Sequence, residues 1–118
     1  MSTTADFLTE EELPGGITKV SLRGRIDAIG AGAIDLRMNL VGGTSKRVLL
    51  DLENVSYMSS LGLRCIVVPA RTIHSRGGKM ILLRPQKFVE DVLTLTGIHT
   101  IIPIHHELEA ALAELQAT

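Results

Sequence analysis

The chain has 118 residues, a formal net charge of −1, 45% hydrophobic residues, 3% aromatics and no Trp. That length suits a single domain over residues 1–118, with a core of Leu, Ile, Val, Met and Ala that needs no metal or disulfide, and the apolar fraction excludes a disordered chain. The charge balance excludes the basic footprint of a nucleic-acid or anionic-membrane binder, and the scarcity of aromatics removes a surface for stacking bases.

In chain order, Asp6–Leu13 reads as a weak strand. Ile17–Leu22 reads as a stronger one, with Ile17, Val20 and Leu22 set against Thr18, Lys19 and Ser21. Pro14–Gly16 (PGG) is a turn signal, so the two strands make a hairpin. In Ala28–Gly43, Ile34, Met38 and Val41 recur at near-helical spacing. Gly30 and Gly32 weaken the start of that helix, whose first turn is expected as loop, and Gly42-Gly43 is expected to end it. Lys46–Leu52 (KRVLLDL) is a short apolar run of the kind buried on both faces of a central strand. A helix follows over about Ser60–His74, with Leu61, Cys65, Val68 and Thr72 on one face. Pro69 inside it removes a backbone donor at a cost of ~3 kcal/mol, and a kink is expected there instead of a break.

Arg76–Gly78 ends that helix, and Lys79–Arg84 is another buried strand. Pro85 suits a helix N-terminus. Phe88, Val92 and Leu95 stripe the next helix and Gly97 stops it. His99–His105 (HTIIPIH) is a short strand that Pro103 assigns to an edge, and Glu107–Leu115 is a closing helix striped by Leu108, Leu112 and Leu115. A hairpin followed by alternating strands and helices predicts an α/β fold with a mixed, mostly parallel sheet packed with helices.

The start of the chain lacks the basic and apolar regions of a signal peptide, and the longest apolar run, Cys65–Val68, is far too short to span a bilayer. A cytoplasmic location without membrane insertion is expected, and the single Cys65 fits a reducing compartment. The sequence offers little for catalysis. GGTSK at Gly42–Lys46 lacks P-loop spacing and precedes a strand. Gly30-x-Gly32 has no third glycine and reads as a flexible helix entrance. His74, His99, His105 and His106 lack converging partners, so no metal site is expected. Ser60 has Gly62 behind it but Met58 where a nucleophile elbow needs its first glycine. Cys65 reads as a packing residue. Ser59 reads as a helix cap, a role that contributes ~1 kcal/mol. Gly62 in the first turn is costly for a helix, and is tolerable if another surface must approach the backbone closely.

RVLLDLENVSYMSSLGLRCIV, Arg47–Val67, resembles the signature segment of STAS domains, and especially of bacterial anti-sigma factor antagonists. That family shows a strand ending in D-L, a short turn, and D-S-[STA]-G-L at a helix start. The matching residues are Asp51-Leu52, Val55, Tyr57-Met58 and Ser59-Ser60-Leu61-Gly62-Leu63. LRGRID at Leu22–Asp27 is similar to the family's L-x-G-x-[LI]-D, and Gly77–Leu112 resembles its final strand–helix–strand–helix portion. Ser59 stands where the family usually has Asp, and Leu61 where it has a smaller residue.

The resemblance implies a STAS fold and a non-enzymatic protein without cofactors, acting as monomer or weak dimer. It implies binding to an anti-sigma factor serine/threonine kinase, loss of that binding on phosphorylation at the start of the second helix, the one expected over about Ser60–His74, and recovery through a serine/threonine phosphatase. The phosphoacceptor maps onto Ser60, with Ser59 the second choice. The implied partner-binding surface comprises Asp27, Ala28, Ile29, Gly30, Ser59, Ser60, Leu61, Gly62 and Arg64. The Asp-to-Ser change at position 59 also fits a STAS module that is never phosphorylated, serving as accessory or scaffold subunit of a lipid-transport ABC complex or a stress-signalling assembly.

Overall fold

The computed structural model describes residues 3–118. Its elements are α1 (Thr4–Phe7), β1 (Leu8–Leu13), β2 (Ile17–Ile26), α2 (Ala28–Thr44), β3 (Arg47–Met58), α3 (Ser60–Ser75), β4 (Lys79–Leu83), α4 (Lys87–Leu95), β5 (Ile104–His105) and α5 (Leu108–Gln116). The strands form one sheet in the order β1-β2-β3-β4-β5. β1 and β2 are the antiparallel hairpin, and every other pairing is parallel. Gly15 and Gly16 both adopt positive φ, 88° and 72°, which explains the glycine pair in the turn.

Alternation along the central strands sends side chains to two cores. Val48, Leu50 and Leu52 of β3 and Met80 and Leu82 of β4 pack with Ile34, Met38 and Val41 of α2, Ile66 and Ile73 of α3, and Val89 and Leu93 of α4. Leu49, Ile81 and Leu83 point the other way, onto Ala111 and Leu115 of α5. The sheet is thus covered on both faces, as the continuous apolar runs of β3 and β4 require. Ile17 joins the α5 side while Val20 and Leu22 join the other, so the expected single buried face of this strand is divided between two cores.

Several expected boundaries and faces move, each for a physical reason. β1 begins at Leu8, not Asp6, because Asp6 accepts the Thr3 N–H at 2.9 Å and closes a helical turn. The first turn of α2 is helical, not loop, because Asp27 Oδ1 accepts the N–H groups of Ile29 and Gly30, each at 3.1 Å. Gly42-Gly43 does not stop α2. A Cβ at Gly42 would lie 2.8 Å from Pro69 Cβ, so this glycine lets α2 and α3 approach. Pro69 stays within a continuous α3, its ring buried against that glycine.

The buried stripe of α3 is Gly62, Cys65, Ile66, Pro69, Ala70 and Ile73, whereas Leu61 and Val68 are exposed. In α4 the buried residues are Val89 and Leu93, while Phe88 and Leu95 face outward. β3 runs past Leu52 to Met58 because β2 continues beside it, pairing Ile26 with Met58. His99–His105 is mostly not strand: Ile98–Thr100 is a 3-10 turn and only Ile104–His105 pairs with β4. That short strand does form an edge, with the Pro103 carbonyl accepting the Leu82 N–H at 2.9 Å.

Glu114 ties α5 to the sheet. It accepts hydrogen bonds from Lys79 Nζ at 3.0 Å and pairs with His105 Nε2 at 2.7 Å. These two bonds, His105 first, hold its carboxyl below the ordinary value of 4.5. A lowered folded pKa stabilises fully above the unfolded value and loses that contribution as pH falls through the folded one. Glu114→Gln is therefore expected to cost stability near neutral pH, with the difference closing in acid. Urea denaturation across a pH series tests this, and a difference that stays constant with pH contradicts it.

Candidate partner-binding site at the ends of β2 and β3

β2 and β3 are parallel neighbours, so their last residues, Ile26 and Met58, lie side by side. Each is followed by one capping residue and then a helix: Asp27 before α2 and Ser59 before α3. Two helix N-termini are thereby set together at one end of the sheet. The Ile26 carbonyl joins them, accepting the Ser59 N–H at 2.9 Å and the Ser59 hydroxyl at 3.0 Å. The same hydroxyl oxygen accepts the Gly62 N–H at 3.2 Å. Ser59 is thus the expected cap, and also a fastener between β2 and α3.

Its partners make Ser59→Ala a measurable loss. The substitution removes the first-turn cap and one of the two donors to Ile26, and a destabilisation of about 1–2 kcal/mol is expected from thermal or urea melts. A variant as stable as the parent would show that the cap contributes nothing.

Ser60 is exposed, at the first helical position of α3. Ala28, Ile29, Leu61 and Arg64 are also exposed, and Asp27 and Ser59 are half-buried. Gly30 and Gly62 are buried and face inward. A Cβ at Gly62 would lie 2.7 Å from the Ile26 carbonyl oxygen, and one at Gly30 would lie 2.4 Å from the Arg25 carbonyl oxygen. The surface that Gly62 lets approach the backbone closely is the chain's own β2, at Ile26.

The sequence reading missed a cation–aromatic stack beside these caps. The Arg25 guanidinium lies 4.4 Å from the Tyr57 ring centroid, and Tyr57 stacks on Phe88 at 6.0 Å. Arg25 Nε is also 3.9 Å from Asp27 Oδ2. The only available signal was the parallel register of Arg25 with Tyr57, which needs the pairing to be known first.

A groove of about 460 Å³ runs between α2 and α3, lined in part by Ala28, Ala31, Asp35, Leu61, Arg64 and Val68. Cys65 sits buried at its base, its thiol 3.5 Å from Asp35 Oδ1 and 3.6 Å from the Ala31 carbonyl. Burial, and then the Asp35 hydrogen bond, push this thiol up to about 11. It is protonated near neutral pH and behaves as a packing residue.

Among the described residues, no helix is long and apolar enough to cross a membrane. A relative in Bordetella bronchiseptica, BtrV, provisionally named an anti-sigma factor antagonist, is 28% identical over 107 residues, covering 90% of this chain and 91% of the relative. The anti-sigma F factor antagonist of Paenibacillus polymyxa is 28% identical over 109 residues, 91% of this chain and 93% of its own. In three dimensions, the anti-sigma factor antagonist SpoIIAA in its unphosphorylated form superposes with a TM-score of 0.76 at 19% identity, over 94% of this chain and 97% of SpoIIAA. The phosphorylated Bacillus SpoIIAA gives 0.69 at 21% identity, over 87% and 95%. These superpositions establish a shared fold. The STAS domain family matches residues 10–111, from within β1 to within α5 and through both capped helices, and the chain belongs to that family.

Proposed function

We propose that this protein is a cytoplasmic anti-sigma factor antagonist. It binds an anti-sigma factor serine/threonine kinase through the paired N-termini of α2 and α3, is released when that kinase phosphorylates Ser60, and is reset by a serine/threonine phosphatase. It acts as binding partner and as substrate, not as an enzyme. The names of relatives aligned along nearly the whole chain support this reading.

The observation that carries it is the division of labour between the two serines. Ser59 is half-buried with its hydroxyl committed to Ile26 and Gly62, while Ser60 stands exposed beside it. In the transfer, Ser60 Oγ bonds to the γ-phosphorus of ATP, the bond to the ADP oxygen breaks, and the hydroxyl proton passes to a base on the kinase. The added charge, roughly −1.5 to −2, falls where first-turn N–H groups and the helix dipole accommodate an anion, so the domain stays folded while the contact surface changes.

Incubation with the cognate kinase and ATP, followed by peptide mass spectrometry, is expected to place phosphate on Ser60. Phosphate on neither serine overturns the switch. It would leave the unphosphorylated accessory or scaffold reading, which Ser59 favours by supplying a cap without a carboxylate.

A further inference from the structure

Arg64 is a cation that the caps and the aromatic stack leave unused. It lies one turn beyond Ser60 in α3, at the i, i+4 spacing that makes helical side chains neighbours, and because such side chains lean toward the N-terminus a phosphoryl group on Ser60 falls within its reach. Ser60, Leu61 and Arg64 are exposed, while Gly62 and Cys65 face inward, which keeps Ser60 and Arg64 on the solvent side of the helix. Among the described residues, Arg64 has no carboxylate within ion-pair distance. Two acids on the α2 side have hydrogen-bond partners of their own: the α2 cap, and Asp35 two turns into the helix. Asp27 holds the first turn of α2, and Asp35 takes the Cys65 thiol. Arg25, the other cation at this end of the sheet, is held over Tyr57 and beside Asp27.

We propose that Arg64 is the internal counter-charge for a phosphoryl group on Ser60, pairing with it along α3. The inference rests on the reading of Ser60 as phosphoacceptor. Guanidinium presents a planar fork of donors that matches two phosphoryl oxygens, and the helix start ahead of the Gly62 N–H that Ser59 holds favours an anion at the third. Phosphorylation then changes the surface twice: it adds a bulky anion at Ser60, and it withdraws Arg64 from any partner seated along the groove that this residue borders.

The test uses the full chain with phosphoserine inserted at position 60 during translation, so that no kinase is needed. A failure here is therefore distinct from a failure to be phosphorylated. Phosphorus NMR titration follows the second ionisation of the phosphoserine. That ionisation is expected to lie lower in the parent than in Arg64→Gln by roughly half a unit, the scale of an exposed ion pair. Arg64→Lys is expected to recover part of the shift, and Arg25→Gln to leave it in place. Superimposable titrations of the parent and Arg64→Gln overturn the proposal, as does a shift that follows Arg25 instead. Should Arg64→Gln melt early in the unmodified protein, Arg64→Met keeps the apolar stem, removes the charge and decides the same question.

Discussion

Gly62→Ala is expected to destabilise the protein by about 2 kcal/mol and to push the start of α3 away from β2. A Cβ at this position would lie 2.6 Å from Met58 Sδ, 2.7 Å from the Ile26 carbonyl oxygen and 2.8 Å from Ile26 Cγ2. The methionine sulfur can swing aside. The Ile26 carbonyl cannot, because it is backbone within a parallel pairing and is held by two donors from Ser59. Strain therefore falls on the junction itself. Overpacking of this kind costs about 1–3 kcal/mol, against which the better helix propensity of Ala returns less than ~1 kcal/mol near a helix start.

Gly43→Ala is the matched control. It lies within α2, and its added Cβ meets nothing within 4 Å. It is expected to gain about 0.5 kcal/mol from propensity alone. Urea midpoints of the two variants should move in opposite directions. A Gly62→Ala protein as stable as the parent would mean that the α3–β2 contact is loose.

The same residue shows where the sequence was legible and where it was not. A glycine at a helix start signals a close approach, but the sequence does not say on which side. The approaching atoms are Ile26 and Met58, brought to Gly62 by a pairing between segments more than thirty positions apart. The cores of β3 and β4 were legible because strands covered on both faces read as unbroken apolar runs. The second half of β3 was not. Beyond Leu52 only Val55 and Met58 are buried, and Glu53, Asn54 and Ser56 face solvent, so the segment imitates a loop.

The α4 stripe was misplaced by one position because Phe88 is the larger hydrophobe. It lies outside on Tyr57, while Val89 fills the core. The α2 start was underestimated because two glycines lower its propensity, while the compensating contact is the Asp27 side chain, which holds that turn directly. At the site, local rules were enough for the Ser59 cap. They could not supply the tie from Ser59 to Ile26, or the Arg25–Tyr57–Phe88 stack, both of which join distant segments.

Phosphorylation at Ser60 is expected to weaken binding to the anti-sigma kinase by on the order of 100-fold while leaving the fold intact. The expected loss follows from placing a hydrated anion in a contact formed against a neutral hydroxyl, where desolvating a charge that has no partner on the kinase costs about 2–5 kcal/mol. Stability should move little and in the opposite direction. An anion in the first turn of a helix contributes about 0.3–1 kcal/mol, and Ser60 is exposed at the first helical position of α3. Ser60→Asp should therefore melt at or slightly above the parent temperature yet bind poorly, and Ser60→Ala should bind while refusing phosphate.

The separation of the two effects is the diagnostic. Ser59→Ala and Gly62→Ala act through the junction with Ile26, so any binding they lose should follow their loss of stability. A change at Ser60 touches no internal contact of that junction, so its binding loss should appear without a melting shift. Isothermal titration calorimetry with the kinase, paired with melts of each variant, resolves the two classes. A Ser60→Asp protein that binds at full affinity, or one that loses binding only because it unfolds, contradicts the assignment of the switch to this residue.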